Sequence, residues 1–230
     1  MLSVRMVLAA AVAIVAGILG ASPASAVSPP LGSEFTITSF LTEVKDRTGA
    51  DETRAGAHPI SARAEFKFST YDTGLTAGGS SGRIRPVEDP KTIITKLPPG
   101  FNGNPMSTPR CPLVLVPRVA YRPMLCPDDT VVGYVYLDGE VNLSTPIVNV
   151  LPEEGYPAEF AFSEGGLTYT IYPELRSDGD YGLNMVVPAA NVDFITRVDV
   201  TFCGYGAEFT HIDDTTSGNS TFRCLQPDEP

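Results

Sequence analysis

The sequence has no tryptophan, only two histidines, and no long apolar run beyond position 20. Absent tryptophan argues against a sugar-binding platform and against a polysaccharide-cleaving cleft, which stack aromatic rings on their substrates. His58 and His211 are the whole supply of imidazole, and neither lies in HExxH or another spaced ligand pair. Basic residues are scarce in the second half: residues 123–230 hold 3 Lys and Arg against 18 Asp and Glu, while residues 27–122 hold 12 against 9. With a net charge of −11 the chain is a poor ligand for nucleic acid or anionic lipid, because neutralising phosphates needs Lys and Arg. The acidic half could attract cations or a basic partner, although such a surface is also the ordinary means of keeping an exported protein soluble.

What is present begins with a leader. Arg5 precedes the uncharged apolar run "MVLAAAVAIVAGILG" (6–20), and "ASPASA" (21–26) ends in the small-x-small pattern of Ala24 and Ala26. At 15 residues the run falls short of the roughly 20 that a membrane helix needs. It reads as a signal peptide, residues 1–26, cleaved after Ala26. The expected mature chain, 27–230, has no second apolar run and no sorting or lipid-anchor motif, so no membrane span remains after cleavage. It is long enough for one substantial domain, with a frayed tail from about residue 225.

In an exported chain the four cysteines, Cys111, Cys126, Cys203 and Cys224, read as disulfides with three possible pairings. Local pairing, 111 with 126 and 203 with 224, is the expectation. No two cysteines stand at the Cys-x2–4-Cys spacing of a zinc site.

Twenty-one glycines and 21 prolines divide the rest into short runs rich in β-branched and aromatic residues. "ARAEFKFST" (62–70) alternates Ala62, Ala64, Phe66 and Phe68 with Arg63, Glu65 and Lys67, a half-buried strand. "SEFTITSFLTEV" (33–44) puts Phe35, Ile37 and Ser39 on one face by the same period. About ten such strands are expected, the others near 91–97, 130–137, 140–144, 146–151, 158–163, 167–175, 181–188 and 193–202. Asp138-Gly139 reads as a hairpin turn, and the Cys111–Cys126 segment, limited by Pro112, Pro117 and Pro123, can form only a turn or two of helix. The expected fold is all-β: a β-sandwich, immunoglobulin-like or jelly-roll-like, with little helix. Residues 45–60 and 72–90 read as loops.

One stretch stands apart. "KLPPGFNGNPMSTPRC" (96–111) sets many backbone-fixing residues between two apolar runs. Pro98 and Pro99 cannot donate to a ladder and end a strand, Gly100 permits a positive φ, and Asn102-Gly103-Asn104-Pro105 suits a second reversal. Phe101 is then an apolar plug on the core. The stretch reads as a rigid structural corner.

Catalytic signals are few. "GGSSG" (78–82) matches the nucleophile-elbow spacing but lies in a glycine-rich loop instead of between a buried strand and a helix. Acidic pairs, Glu153 with Glu154, Asp178 with Asp180 and Asp213 with Asp214, could each supply half of a hydrolase dyad, and nothing in their spacing selects one. "RSDGDYG" (176–182) offers Asp178 and Asp180 as oxygen ligands for calcium around Gly179, on a sequence that is also ordinary turn chemistry. "NLS" (142–144) and "NST" (219–221) match the glycosylation sequon. No other cofactor is indicated.

Several of these segments occur in a familiar order: "AGAHP" (55–59), "KLPPGFNGNP" (96–105), "CPDDTVVGYV" (126–135), "LPEEGYPAEFAF" (151–162), "RSDGDYGLNMVVP" (176–188) and "VDVTFCGYGAEFTH" (198–211). The set resembles a family of uncharacterised secreted proteins from high-GC Gram-positive bacteria. This chain departs from that pattern at Cys203-Gly204-Tyr205-Gly206 and at His211-Ile212, where the family tends to show Trp-Gly-x-Pro and His-Asp. The resemblance implies export and a β fold, and carries over no catalytic residue. The resulting expectation is a secreted or cell-wall-associated, non-enzymatic module that presents loops near His58, the 100–110 corner and the 176–182 turn to an envelope component or extracellular protein. The alternative expectation is an extracellular hydrolase of wall polymer or polypeptide, using acidic residues of the C-terminal half.

Overall fold

The structure, a computed structural model, describes residues 28–74, 84–116, 125–139, 143–164, 166–188, 195–204, 208–214 and 219–225. For Leu143 and for 208–225, Cys224 excepted, it describes the backbone alone. The expected leader with Ala24 and Ala26, the GGSSG segment, Pro117, Pro123 and the residues beyond Leu225 lie outside the described residues.

The fold is all-β. Its strands are β1 (Ile37–Lys45), β2 (Ser61–Phe68), β3 (Thr70–Asp72), β4 (Ile84–Pro86), β5 (Ile93–Lys96), β6 (Val131–Gly139), β7 (Leu143–Val150), β8 (Glu159–Glu164), β9 (Leu167–Leu175), β10 (Leu183–Val187), β11 (Ile195–Cys203), β12 (Glu208–Asp214) and β13 (Asn219–Leu225). Helical structure among the described residues is limited to single 3-10 turns at Leu113–Leu115 and Asp128–Thr130. None of it is long and apolar enough to cross a membrane.

Nine strands form one antiparallel sheet in the order β1-β2-β11-β6-β7-β8-β9-β10-β5, and β3-β4 and β12-β13 are separate hairpins. The large sheet curls. Phe160 of β8 and Phe202 of β11 bring their ring centroids within 5.4 Å, although β6 and β7 lie between those strands. Across a flat sheet that lateral step would be roughly 14 Å, three strand spacings. Curling closes the inner face around Phe66, Phe68, Val135, Leu137, Ile147, Phe162, Tyr169, Ile171, Ile195 and Val198.

β7 is the central strand and is buried on both faces. Ile147 points into the main core, while Val148 and Val150 point outward into a second cluster with Cys111, Val116 and Ala161. The chain around Cys111 supplies that cover. β6 pairs with β7 only as far as Val131–Val148, and beyond it Cys111 bridges Val150, its N–H donating to the Asn149 carbonyl at 2.9 Å. A disulfide joins Cys111 to Cys126, so the segment that extends the ladder is tied to the one that leads into β6. A second disulfide joins Cys203 at the end of β11 to Cys224 in β13.

Four local expectations are corrected. The proline at 146 does not separate two strands: β7 runs through it, because Pro146 pairs with Tyr134 of β6 at a level where β8, paired only with residues 148–150, needs no N–H. Asp138-Gly139 ends β6 and is not the turn. A bulge between Ile37 and Ser39 breaks the two-residue period of β1, so Ile37 shares a face with Phe40, opposite Phe68 and Phe66, and Ser39 falls on the other. Two of the expected loops contain β4 and the bridge between Lys45 and Asp51.

Candidate binding site

At one edge of the sheet the β9–β10 hairpin loop and the proline-rich corner are built as a unit around Arg176. Its side chain is only 6% exposed. Nε and Nη2 donate to the two carboxylate oxygens of Asp180 at 3.0 and 2.6 Å, and Nη1 donates to the carbonyls of Leu97 and Leu183 at 3.0 and 2.8 Å. The Gly182 N–H donates to Asp180 Oδ1 at 2.8 Å. The guanidinium lies so close over Gly182 that an added Cβ would stand 1.8 Å from Nη2, so any side chain there would push the arginine out of its place. The bond from Arg176, then that from the Gly182 N–H, holds the Asp180 carboxyl at a pKa of about 2. Asp180 thus spends both oxygens on a fork-to-fork pair that leaves little for a metal. Asp178 stands 3.8 Å from Arg176 Nε, and no group of three or more His, Cys, Asp or Glu among the described residues could hold an ion. The two carboxylates considered for calcium are therefore organised by an arginine.

This scaffold displays Tyr181. It is the only non-glycine residue with positive φ among those described, at 54°, and it is 77% exposed. A bulky side chain pays of order 1–3 kcal/mol to sit in that region. The bonds on either side, at Asp180 and Gly182, over-determine the turn and keep it there.

Leu97 carries the same organisation into the corner, its N–H donating to the Leu183 carbonyl at 2.9 Å. The Phe101 N–H then donates to the Pro98 carbonyl at 3.1 Å across Pro99 and Gly100, with Gly100 at φ 82°. The second reversal lies two residues later than expected: the Ser107 N–H donates to the Asn104 carbonyl at 3.1 Å, and Asn104 Oδ1 accepts the Met106 N–H at 3.0 Å. The far end is pinned by Asn149, fully buried in β7, whose Nδ2 lies 2.9 Å from the Pro105 carbonyl and 3.1 Å from Thr108 Oγ1. Phe101 is half-buried and belongs to neither apolar cluster, so it is not a core plug. Gly103 and Asn104 are exposed.

Other candidates fall elsewhere. His58 is exposed in the β1–β2 connection, at the opposite end of the strand order from β10 and β5. The side chains of His211, Asp213 and Asp214 lie outside the described residues. Glu154 is exposed, and the Glu153 N–H donates to Glu159 Oε2 at 2.9 Å. Glu159, which the sequence reading did not single out, is fully buried and anchors that loop.

Also unforeseen is a charged lattice on the outer face of β1, β2, β11 and β6. Arg63 donates to both oxygens of Asp199 at 2.8 and 2.6 Å and to Glu43 at 2.6 Å. Arg197 donates to Asp138, Asp199 and Glu65 at 2.6, 2.9 and 3.0 Å. The bond from Arg63 holds the Glu43 carboxyl below its ordinary value of 4.5, and the bond from Arg197 does the same for Glu65. A carboxyl whose pKa is lower folded than unfolded stabilises the fold above its unfolded value, and that contribution disappears as pH falls through the folded one. The melting temperature should therefore decline below about pH 4.5, and less steeply in Glu65→Gln. Thermal melts across that range check this; a wild type that gains stability on acidification contradicts it.

No protein-family model, curated protein or solved structure matches the chain.

Proposed function

We propose that the protein is an exported β module, secreted or held at the cell envelope, which performs no catalysis and binds an envelope component or extracellular protein through the Arg176–Gly182 turn and the adjoining Leu97–Asn104 corner. The observation that carries this reading is Tyr181, exposed at a strained backbone angle on a loop locked by a nearly buried arginine. Strain held by surrounding bonds is a mark of a functional position, and a loop fixed before contact loses little entropy on binding. The leader, the two disulfides and the resemblance to secreted proteins support export.

Tyr181→Gly separates function from stability. Glycine accepts the positive φ, so the variant should melt at or slightly above the wild-type temperature, a change of about 1 kcal/mol or less. The same variant should lose retention on envelope material. If it melts several degrees lower, the turn is not strained as described; if retention is unchanged, Tyr181 is not the contact.

A further inference from the structure

Strand β1 is paired on one edge only over most of its length. At its end the Glu52 N–H donates to the Val44 carbonyl and the Asp46 N–H to the Ala50 carbonyl, both at 2.8 Å, so residues 50–52 cover the outer edge there. Backbone groups alternate along a strand, so the N–H and C=O of Phe40 and Thr42 point to the same outer edge as those of Val44. Among the described residues nothing pairs with them. The side chains beside this open edge are apolar: Ile37, Phe40 and Leu41 are 58, 59 and 43% exposed. Natural edges are usually blunted by proline, lysine or an unpaired charge. From 37 to 43 there is no proline, and the one charge, Glu43, is already held by Arg63 at 2.6 Å and Lys45 at 3.5 Å.

We propose that a second copy of this chain adds to this edge, β1 pairing antiparallel with its two-fold mate about Phe40. Phe40 is the midpoint of the open run and has its backbone groups outward, so it faces Phe40 of the second copy as a hydrogen-bonded pair. In that register Leu41 lies opposite Ser39, and the next position, Thr42, meets the bulge between Ile37 and Ser39. No charge meets a charge across the seam, so the edge is complementary to itself despite the net charge of −11. The exposed parts of these three apolar side chains amount to roughly 300 Å² per copy, well short of the ~800 Å² per partner of a standard interface. The dimer is accordingly weak, with a Kd on the order of 10–100 μM.

Cysteine cross-linking reads the register. Hydrogen-bonded partners in an antiparallel pair have Cα atoms about 5.5 Å apart, within disulfide reach, whereas diagonal positions stand at about 7–8 Å. Under mild oxidation at about 100 μM, Phe40→Cys should give mainly covalent dimer and Leu41→Cys little. Sedimentation equilibrium of the wild type should show a monomer–dimer equilibrium that Phe40→Lys abolishes. Phe40 is exposed, so its loss should leave the melting temperature unchanged; should Phe40→Lys fail to fold, the wild-type equilibrium and the comparison of the two cysteine variants still decide. A wild type that stays monomeric at millimolar concentration overturns the proposal, even if the edge captures a strand from another protein. Equal cross-linking at 40 and 41 overturns it as well.

Discussion

Gly133→Ala should leave little or no folded protein. Gly133 of β6 faces Phe202 of β11, and a Cβ there would stand 2.1 Å from the Thr201 carbonyl oxygen and 3.0 Å from the Phe202 Cα. Both are backbone atoms, so no change of rotamer relieves the overlap. β6 and β11 must separate by an ångström or so, in the half of the sheet that holds Val135, Leu137 and Val198. The penalty should exceed about 4 kcal/mol, at the far end of what single substitutions do. A control isolates the cause. Gly103 has open space around it and no positive φ, so Gly103→Ala should melt with the wild type. Circular dichroism and thermal melts of the two variants make the comparison. A Gly133→Ala protein melting within about 2 °C of the wild type, at most about 1 kcal/mol for a chain of this size, would contradict the β6–β11 register.

The second large effect is loss of the Cys111–Cys126 disulfide. In the chain-entropy model a loop of about 15 residues is worth about 3 kcal/mol, a fall of roughly 6–12 °C for a chain of this size. The packing beneath sets the upper end. Val116, Val148 and Val150 are fully buried, and each contributes about 1.5–3 kcal/mol while covered. If the untied segment frays, these contributions weaken together and the outer face of β7 meets water. Replacing both cysteines by serine should therefore lower the melting temperature by at least about 6 °C and raise binding of a dye that reports exposed apolar surface. An unchanged melt would mean that the ladder bond at Cys111 and the Asn149 contacts hold the cover unaided.

The strands were legible wherever one face met the core. The alternation in "ARAEFKFST" specified β2 and both of its faces, and "LTYTIYPEL" marked the full extent of β9. It failed where tertiary context overrides a local rule. Proline normally ends a strand, yet Pro146 stands in the central strand because β8 stops short of it. The bulge in β1 turns Phe40 to the face that simple alternation gives to Ser39. The hairpin of β12 and β13 was missed because its polar and acidic residues show no clear two-residue period. The candidate site was half legible. The corner and the DYG turn were visible as rigid segments, but not that Arg176 binds one to the other across 79 positions. The charged lattice was hidden for the same reason, since Arg63 and Asp199 are 136 residues apart.

The proposed binding surface is the locked turn at Tyr181. The direct measurement is a retention isotherm of the purified protein on envelope material from the producing cells, wild type against Tyr181→Gly, with melting temperatures taken on the same samples. Saturable retention that weakens at least about tenfold in the variant, close to 1.4 kcal/mol, while its melting temperature holds, is the expected result. Identical isotherms for two equally stable proteins would contradict the claim.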